Sequence, residues 1–318
     1  MVRAERACAA AVLIAALCAL PVGPWARAAA AGSSTAAPAD SSAAIPDDPW
    51  LDTADALLGA GYAPPSQGAA DLPPSDAVAD TVTVTAPRLR VSELVRLIGE
   101  RMRDDERRLG AYAVTAISRT EIFHDDRTDT LGHRTVVSEA VRIDVDRDGE
   151  RRTARLRRAE REYRDGKLKK DELETEIGRE WSEESGDLAM DMPFLLTSGD
   201  RYRYEIRERR LVGDRLVFAI GFEPRDRFSP GIAGTVWIDY GDLVIRRMEG
   251  RLAGPSPAPL FVADVPRFTW KQRQEGDHWV SDEFEAEIVL RDLPLLPRRV
   301  TARVRLRDWD IGGAGGGR

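Results

Sequence analysis

From residue 110 to 309 the chain alternates apolar and polar residues with a period of two, and turn residues punctuate it at hairpin spacing. That pattern admits little besides half-buried strands folded back on one another. Gly110 to Phe123 sets Tyr112, Val114 and Ala116 against Thr115, Ile117 and Arg119. His133 to Val145 places Val137, Val141, Ile143 and Val145 on one face, and Asp146-Arg147-Asp148-Gly149 then reverses the chain. Tyr202, Tyr204 and Ile206 alternate with Arg201, Arg203, Glu205 and Arg207 before Gly213-Asp214 turns into Leu216, Phe218, Ile220 and Phe222. Further strands are Thr235 to Asp239, Val244 to Leu252, Pro266 to Trp270, Trp279 to Leu290 and Arg298 to Trp309.

Two helices interrupt the pattern. Val91, Leu94, Val95, Ile98 and Met102 recur at spacings of three and four, with Ser92 as N-cap and Gly110 as the stop. The charged insertion Arg151 to Glu184 reads as a strand followed by a short helix over Lys169 to Trp181. Nothing alternates strand and helix along the chain, so the sheet is expected to be antiparallel. One face of nearly every strand carries Arg and Glu and is solvated, so the other must be covered. A single first helix cannot cover about ten strands; a curved, partly closed barrel with a ligand cavity follows.

Upstream of this domain, Arg3 and Arg6 precede an unbroken apolar run from Ala7 to Leu20, and Ala26-Arg27-Ala28 closes the segment. The order is that of a secretory leader, and a run of about 14 residues is too short to span a bilayer. Residues 1–28 are read as a signal peptide and 29–87 as a disordered linker rich in Ala, Pro, Ser and Asp. The domain covers 88–311, followed by a disordered Gly-rich tail over 312–318. Both cysteines, Cys8 and Cys18, fall in the leader, so the mature chain has no disulfide and no thiolate chemistry. The expected location is the periplasm, with association to the outer membrane as its extension. Asp80-Thr81-Val82-Thr83-Val84-Thr85-Ala86-Pro87 resembles the TonB box of outer-membrane receptors, although a β-prone linker end is the simpler reading.

The order of helix, two long strands, Met192-Pro193-Phe194-Leu195-Leu196, Tyr202-x-Tyr204-x-Ile206, a glycine turn and Gly234-Thr235-Val236-Trp237-Ile238-Asp239 with Ile245-Arg246-Arg247 after it resembles the LolA/LolB-like superfamily. That superfamily comprises periplasmic lipoprotein carriers, RseB-like sensors and outer-membrane lipoprotein-sorting proteins. The resemblance implies a mainly β fold, a curved antiparallel half-barrel of about ten or eleven strands with helices as a lid over an apolar cavity for acyl chains. It also implies an arginine that clamps the lid, for which Arg119 is the candidate.

Catalytic signatures point elsewhere or nowhere. No Gly-x-Ser-x-Gly, Walker loop or dinucleotide fingerprint occurs, so no enzyme activity and no cofactor is expected. Asp144-x-Asp146-x-Asp148-Gly149 opens like a calcium loop, but Arg155 occupies the position that needs a glutamate, so it reads as a turn. His124, Asp125, Asp126 and His133 could gather at one hairpin loop, yet loop histidines beside acids are ordinarily solvated, and no metal site is assigned. A net charge of −7 with interspersed signs carries no nucleic-acid footprint.

The function expected is that of an exported, non-enzymatic carrier or sensor that binds an acyl chain or lipoprotein. Tyr204, Phe218, Ile220, Phe222, Trp237, Met248, Phe284 and Ile288 are the expected cavity lining. Phe228 and Ile232, Leu260 and Phe261, and Leu295 and Leu296 are candidates for transient membrane contact. An envelope protein–protein interaction module with a filled core is the alternative, and an envelope hydrolase the second alternative.

Overall fold

The structure, a computed structural model, describes residues 90–124, 132–147, 151–174, 180–181, 201–213, 215–256, 259, 262–291 and 299–312. The segments expected to be a leader and a linker, the latter with Asp80–Pro87, the Met192–Leu196 patch and the Leu260–Phe261 and Leu295–Leu296 pairs lie outside the described residues.

Helix α1 (Val91–Leu109) begins one residue before Ser92: Arg90 is its N-cap and supplies no side-chain bond. Its C-terminus is at Gly110, whose φ of 57° suits a residue without a side chain. The strands are β1 (Tyr112–Phe123), β2 (Arg134–Val145), β3 (Arg151–Arg164), β4 (Lys167–Glu174), β5 (Glu180–Trp181), β6 (Tyr202–Val212), β7 (Arg215–Pro224), β8 (Gly231–Asp239), β9 (Val244–Ala253), β10 (Val262–Glu275), β11 (His278–Leu290) and β12 (Arg299–Ile311). They form one sheet in the order β4-β3-β2-β1-β12-β11-β10-β9-β8-β7-β6, with the two-residue β5 paired to β3. Every pairing is antiparallel. The ends β4 and β6 do not pair, so the barrel is open.

Where the helix expected over Lys169–Trp181 falls on described residues it is replaced by strand: Glu180–Trp181 pairs with β3 and Lys167–Glu174 is an edge strand. Its Lys, Glu and Leu content favours helix, but β3 offers a ladder from Arg158 to Arg164, and tertiary pairing outweighs a propensity of a few tenths of a kcal/mol per residue. Asp165 (φ 51°) and Gly166 (φ 71°) close that hairpin as a two-residue turn with both φ positive.

One register row shows how the faces are built. Ile220, Val236, Met248, Trp270, Phe284 and Val304 lie opposite one another on successive strands from β7 to β12. The row continues through Ser118 on β1, Glu139 on β2, Arg158 on β3 and Glu174 on β4. Along this row the inner face changes from apolar to polar at Ser118 of β1 and to charged from Glu139 of β2 onward. Helix α1 packs on the apolar part: Leu94, Val95 and Ile98 share a cluster with side chains from β6 through β11. A helix about 10 Å wide can touch strands spanning six positions only if the sheet curls around it, which makes the inner face concave.

Candidate functional site

The concave apolar face is the candidate site. Tyr204, Phe218, Ile220, Phe222, Met248 and Phe284 all gather in the cluster beneath α1, as strand alternation places them. Ile288 is equally buried but belongs to a neighbouring cluster with Val262, Val265 and Val300. Trp237 stands apart. Val236 and Ile238 take the concave positions, so Trp237 points to the convex face, where the Arg247 guanidinium lies 5.4 Å from its ring centroid. In a Val-Trp-Ile run every residue is apolar, and alternation alone cannot say which parity is inward. Sequence reasoning also passed over Phe268 and Trp270, which complete the floor of the cluster.

The cluster is full. Ile98, Ile220, Val236 and Ile238 are 0% exposed and Phe222 2%. Surface at that level borders neither solvent nor a void that water could enter, let alone a methylene chain. Gly234 and Gly250, opposite each other on β8 and β9, thin the concave wall, and the ring of Phe268 occupies the space above Gly250. The buried indole Nε1 of Trp270 donates to Ser281 Oγ at 3.1 Å, so the polar atom inside the cluster is satisfied.

At Glu139 of β2 and across β3 and β4 the same face is ionic. Arg155 pairs with Glu139 at 2.5 Å, Arg158 with Glu160 at 3.0 Å, and Lys170 with Glu172 at 2.6 Å. At the end of the β1–β2 hairpin the His124 and His133 rings stack with centroids 4.3 Å apart. His124 Nε2 lies 2.9 Å from Thr135 Oγ1 and His133 Nε2 2.9 Å from Glu162 Oε1. The hydroxyl and the carboxylate thus belong to different imidazoles, which is not the chain of contacts a hydrolase triad uses. Burial would raise the Glu162 pKa, but bonds from Arg164 and His133 outweigh it and hold the carboxyl below its usual range. Among the described residues no group of three or more His, Cys, Asp or Glu could hold a metal ion.

The convex face is a lattice of Arg and Glu. Glu283 accepts from Lys271 at 2.8 Å and from Arg305 at 2.9 Å; burial opposes its charge, and these two cations win, so its pKa falls. Arg119, the candidate lid clamp, is on this side: it pairs with Glu121 at 2.9 Å and faces away from α1. Asp239, fully buried, ties the β8–β9 turn by accepting from Gly241 N–H at 3.0 Å and by pairing with Arg215 and Arg246.

Fold and face together define an open antiparallel half-barrel whose apolar concave part is covered, among the described residues, by one helix. Solved structures similar to the chain include a DUF1329 family protein from Desulfovibrio piger, at 11% identity over 71% of this chain and 95% of that one, with a TM-score of 0.34. A LolA superfamily protein from Nitrosomonas europaea matches at 12% identity over 68% and 93%, with a TM-score of 0.28. MucB of Pseudomonas aeruginosa, solved with MucA, matches at 12% identity over 68% and 93%, with a TM-score of 0.20. No family model and no curated protein matches the chain.

Proposed function

We propose that this chain is an exported, non-enzymatic carrier or sensor of the bacterial envelope, and that an acyl chain, free or on a lipoprotein, takes the place of α1 on the concave face. The observation that carries the proposal is that, among the described residues, one helix packs on the apolar cluster, anchored in it by Leu94, Val95 and Ile98. Burial of three such side chains contributes roughly 5–9 kcal/mol. An acyl chain of about sixteen carbons contributes on the order of 10 kcal/mol. The two occupants are therefore closely matched, as exchange in a carrier requires.

Membrane contact falls to the β7–β8 loop. Phe228 there is 91% exposed. Asp226 holds it out by accepting from Phe228 N–H at 2.9 Å and Ser229 Oγ at 2.6 Å, with Arg227 exposed beside it. Ile232, paired with Phe228 in the sequence reading, is core at 4% exposure and takes no part.

The test is native mass spectrometry of the chain purified from periplasm, with displacement of a fluorescent fatty acid. A removable lipid mass and tighter binding by Ile98→Ala, which loosens the cover, are expected. A bare protein that binds no fatty acid in either form overturns the proposal. The filled cluster, with Phe268 seated over Gly250, would then favour an interaction module of the same fold.

A further inference from the structure

We propose that β4 is a docking edge for a second copy of this chain, which adds its own β4 antiparallel across a two-fold axis at Asp171. The edge lies at the far end of the sheet from the apolar cluster on β6 to β11, so this pairing stands or falls apart from the carrier reading.

Strand β4 ends the sheet: it pairs with β3, and among the described residues no strand pairs with its outer edge. Seven of its eight residues are exposed, and Lys170 is half-buried. A free edge of this length, about 27 Å, offers its outward N–H and C=O groups to another strand. Leu168 at 49% exposure and Leu173 at 55% are among the few large apolar side chains left open to solvent. A β-bulge sets Lys169 and Lys170 together against Glu162. Leu168 therefore lies opposite Tyr163 and Leu173 opposite Ala159, four residues apart on β3, and both leucines share the convex face. Lys167, Lys170, Glu172 and Glu174 lie opposite Arg164, Glu162, Glu160 and Arg158 and share the concave face.

The order of charges names the occupant. Lysines ordinarily blunt an edge by repelling their like. Along β4, however, Lys167, Lys169 and Lys170 come first, and Asp171, Glu172 and Glu174 follow. A parallel copy sets like charges against each other; an antiparallel copy sets unlike charges together. With the axis at Asp171 and the bulge residue Lys169 outside the ladder, Lys167 meets the partner's Glu174, Leu168 the partner's Leu173 and Lys170 the partner's Glu172. Symmetry repeats each contact. Every pair joins side chains of one face, as an axis normal to the sheet demands. Without the bulge the two leucines would fall on opposite faces. Asp171 meets its own copy, and Arg161 offsets its charge within each chain at 3.2 Å. Lys170 and Glu172 keep 40% and 53% of their side-chain surface exposed and so stay open to the partner.

Sedimentation velocity of the full chain over a concentration series tests the edge. Eight residues a side make a small interface, so the wild type is expected to pass from monomer to dimer between about 1 µM and 1 mM. Lys167→Glu with Lys170→Glu makes the four concave-face positions acidic, and Glu172→Lys with Glu174→Lys makes them basic. Each double variant alone is expected to self-associate about tenfold or more weakly than the wild type. An equimolar mixture of the two is expected to regain the dimer, which a merely misfolded β4 could not do. A wild type that stays monomeric throughout that range leaves the edge to some other strand and overturns the pairing. Dimers that persist in either variant alone, or a mixture that stays monomeric, overturn it as well.

Discussion

The ring of Phe268 fills the space over Gly250: a methyl group on Gly250 would stand 2.7 Å from Phe268 Cζ and 2.8 Å from the Ala233 carbonyl oxygen. Part of that clash is with backbone and cannot rotate away. Gly250→Ala is therefore expected to destabilise the domain by about 1–3 kcal/mol. Denaturant unfolding measures it. Adding Phe268→Leu is expected to recover only the ring's share, because the carbonyl remains.

Asp239 is the buried end of a three-charge contact, with Arg215 at 3.0 Å and Arg246 at 2.9 Å. Both arginines reach solvent, so removing the carboxylate strands no buried cation but loses the turn's bonds. Asp239→Ala is expected to cost about 3 kcal/mol. Arg246→Ala is expected to cost less, since Arg215 still satisfies Asp239. Comparison of unfolding midpoints separates the two.

Glu283 and Asp105 give opposite pH dependences. For Glu283 burial raises the pKa, but Lys271 and Arg305 lower it further, so the folded pKa lies below the unfolded one. Its stabilisation is present above the unfolded carboxyl pKa and lost as pH falls through the folded value. Asp105 on α1 is raised, chiefly by burial, against the pull of Arg101, Arg108 and His278. Its ionisation therefore opposes folding as pH rises from the unfolded value through the folded one. Glu283→Gln is expected to flatten the acid limb of stability, and Asp105→Asn to stabilise the chain at neutral pH. Thermal midpoints from pH 3 to 7 check both directions.

Much of the concave face was legible because strand parity is a two-state choice. Where polar residues alternate with apolar ones, as at Tyr202 to Phe222, the inward set follows from the sequence. Trp237 shows the limit, since its neighbours are apolar on both sides and only the pairing with β7 and β9 sets its face. Lys167–Glu174 shows another: the Asp165-Gly166 turn was the available signal, and helix propensity obscured it. The filled state of the cluster depends on how α1 seats on the sheet, a long-range fit that no local pattern encodes.

Displacement of α1 by an acyl chain is the central claim, and the reactivity of a thiol at position 98 measures it most directly. Ile98 is 0% exposed beneath the helix. In a chain whose two cysteines, Cys8 and Cys18, are replaced by serine, Ile98→Cys is expected to alkylate slowly alone and about tenfold or more faster once hexadecanoate is bound. A rate that stays slow while hexadecanoate demonstrably occupies the protein would contradict displacement of the helix.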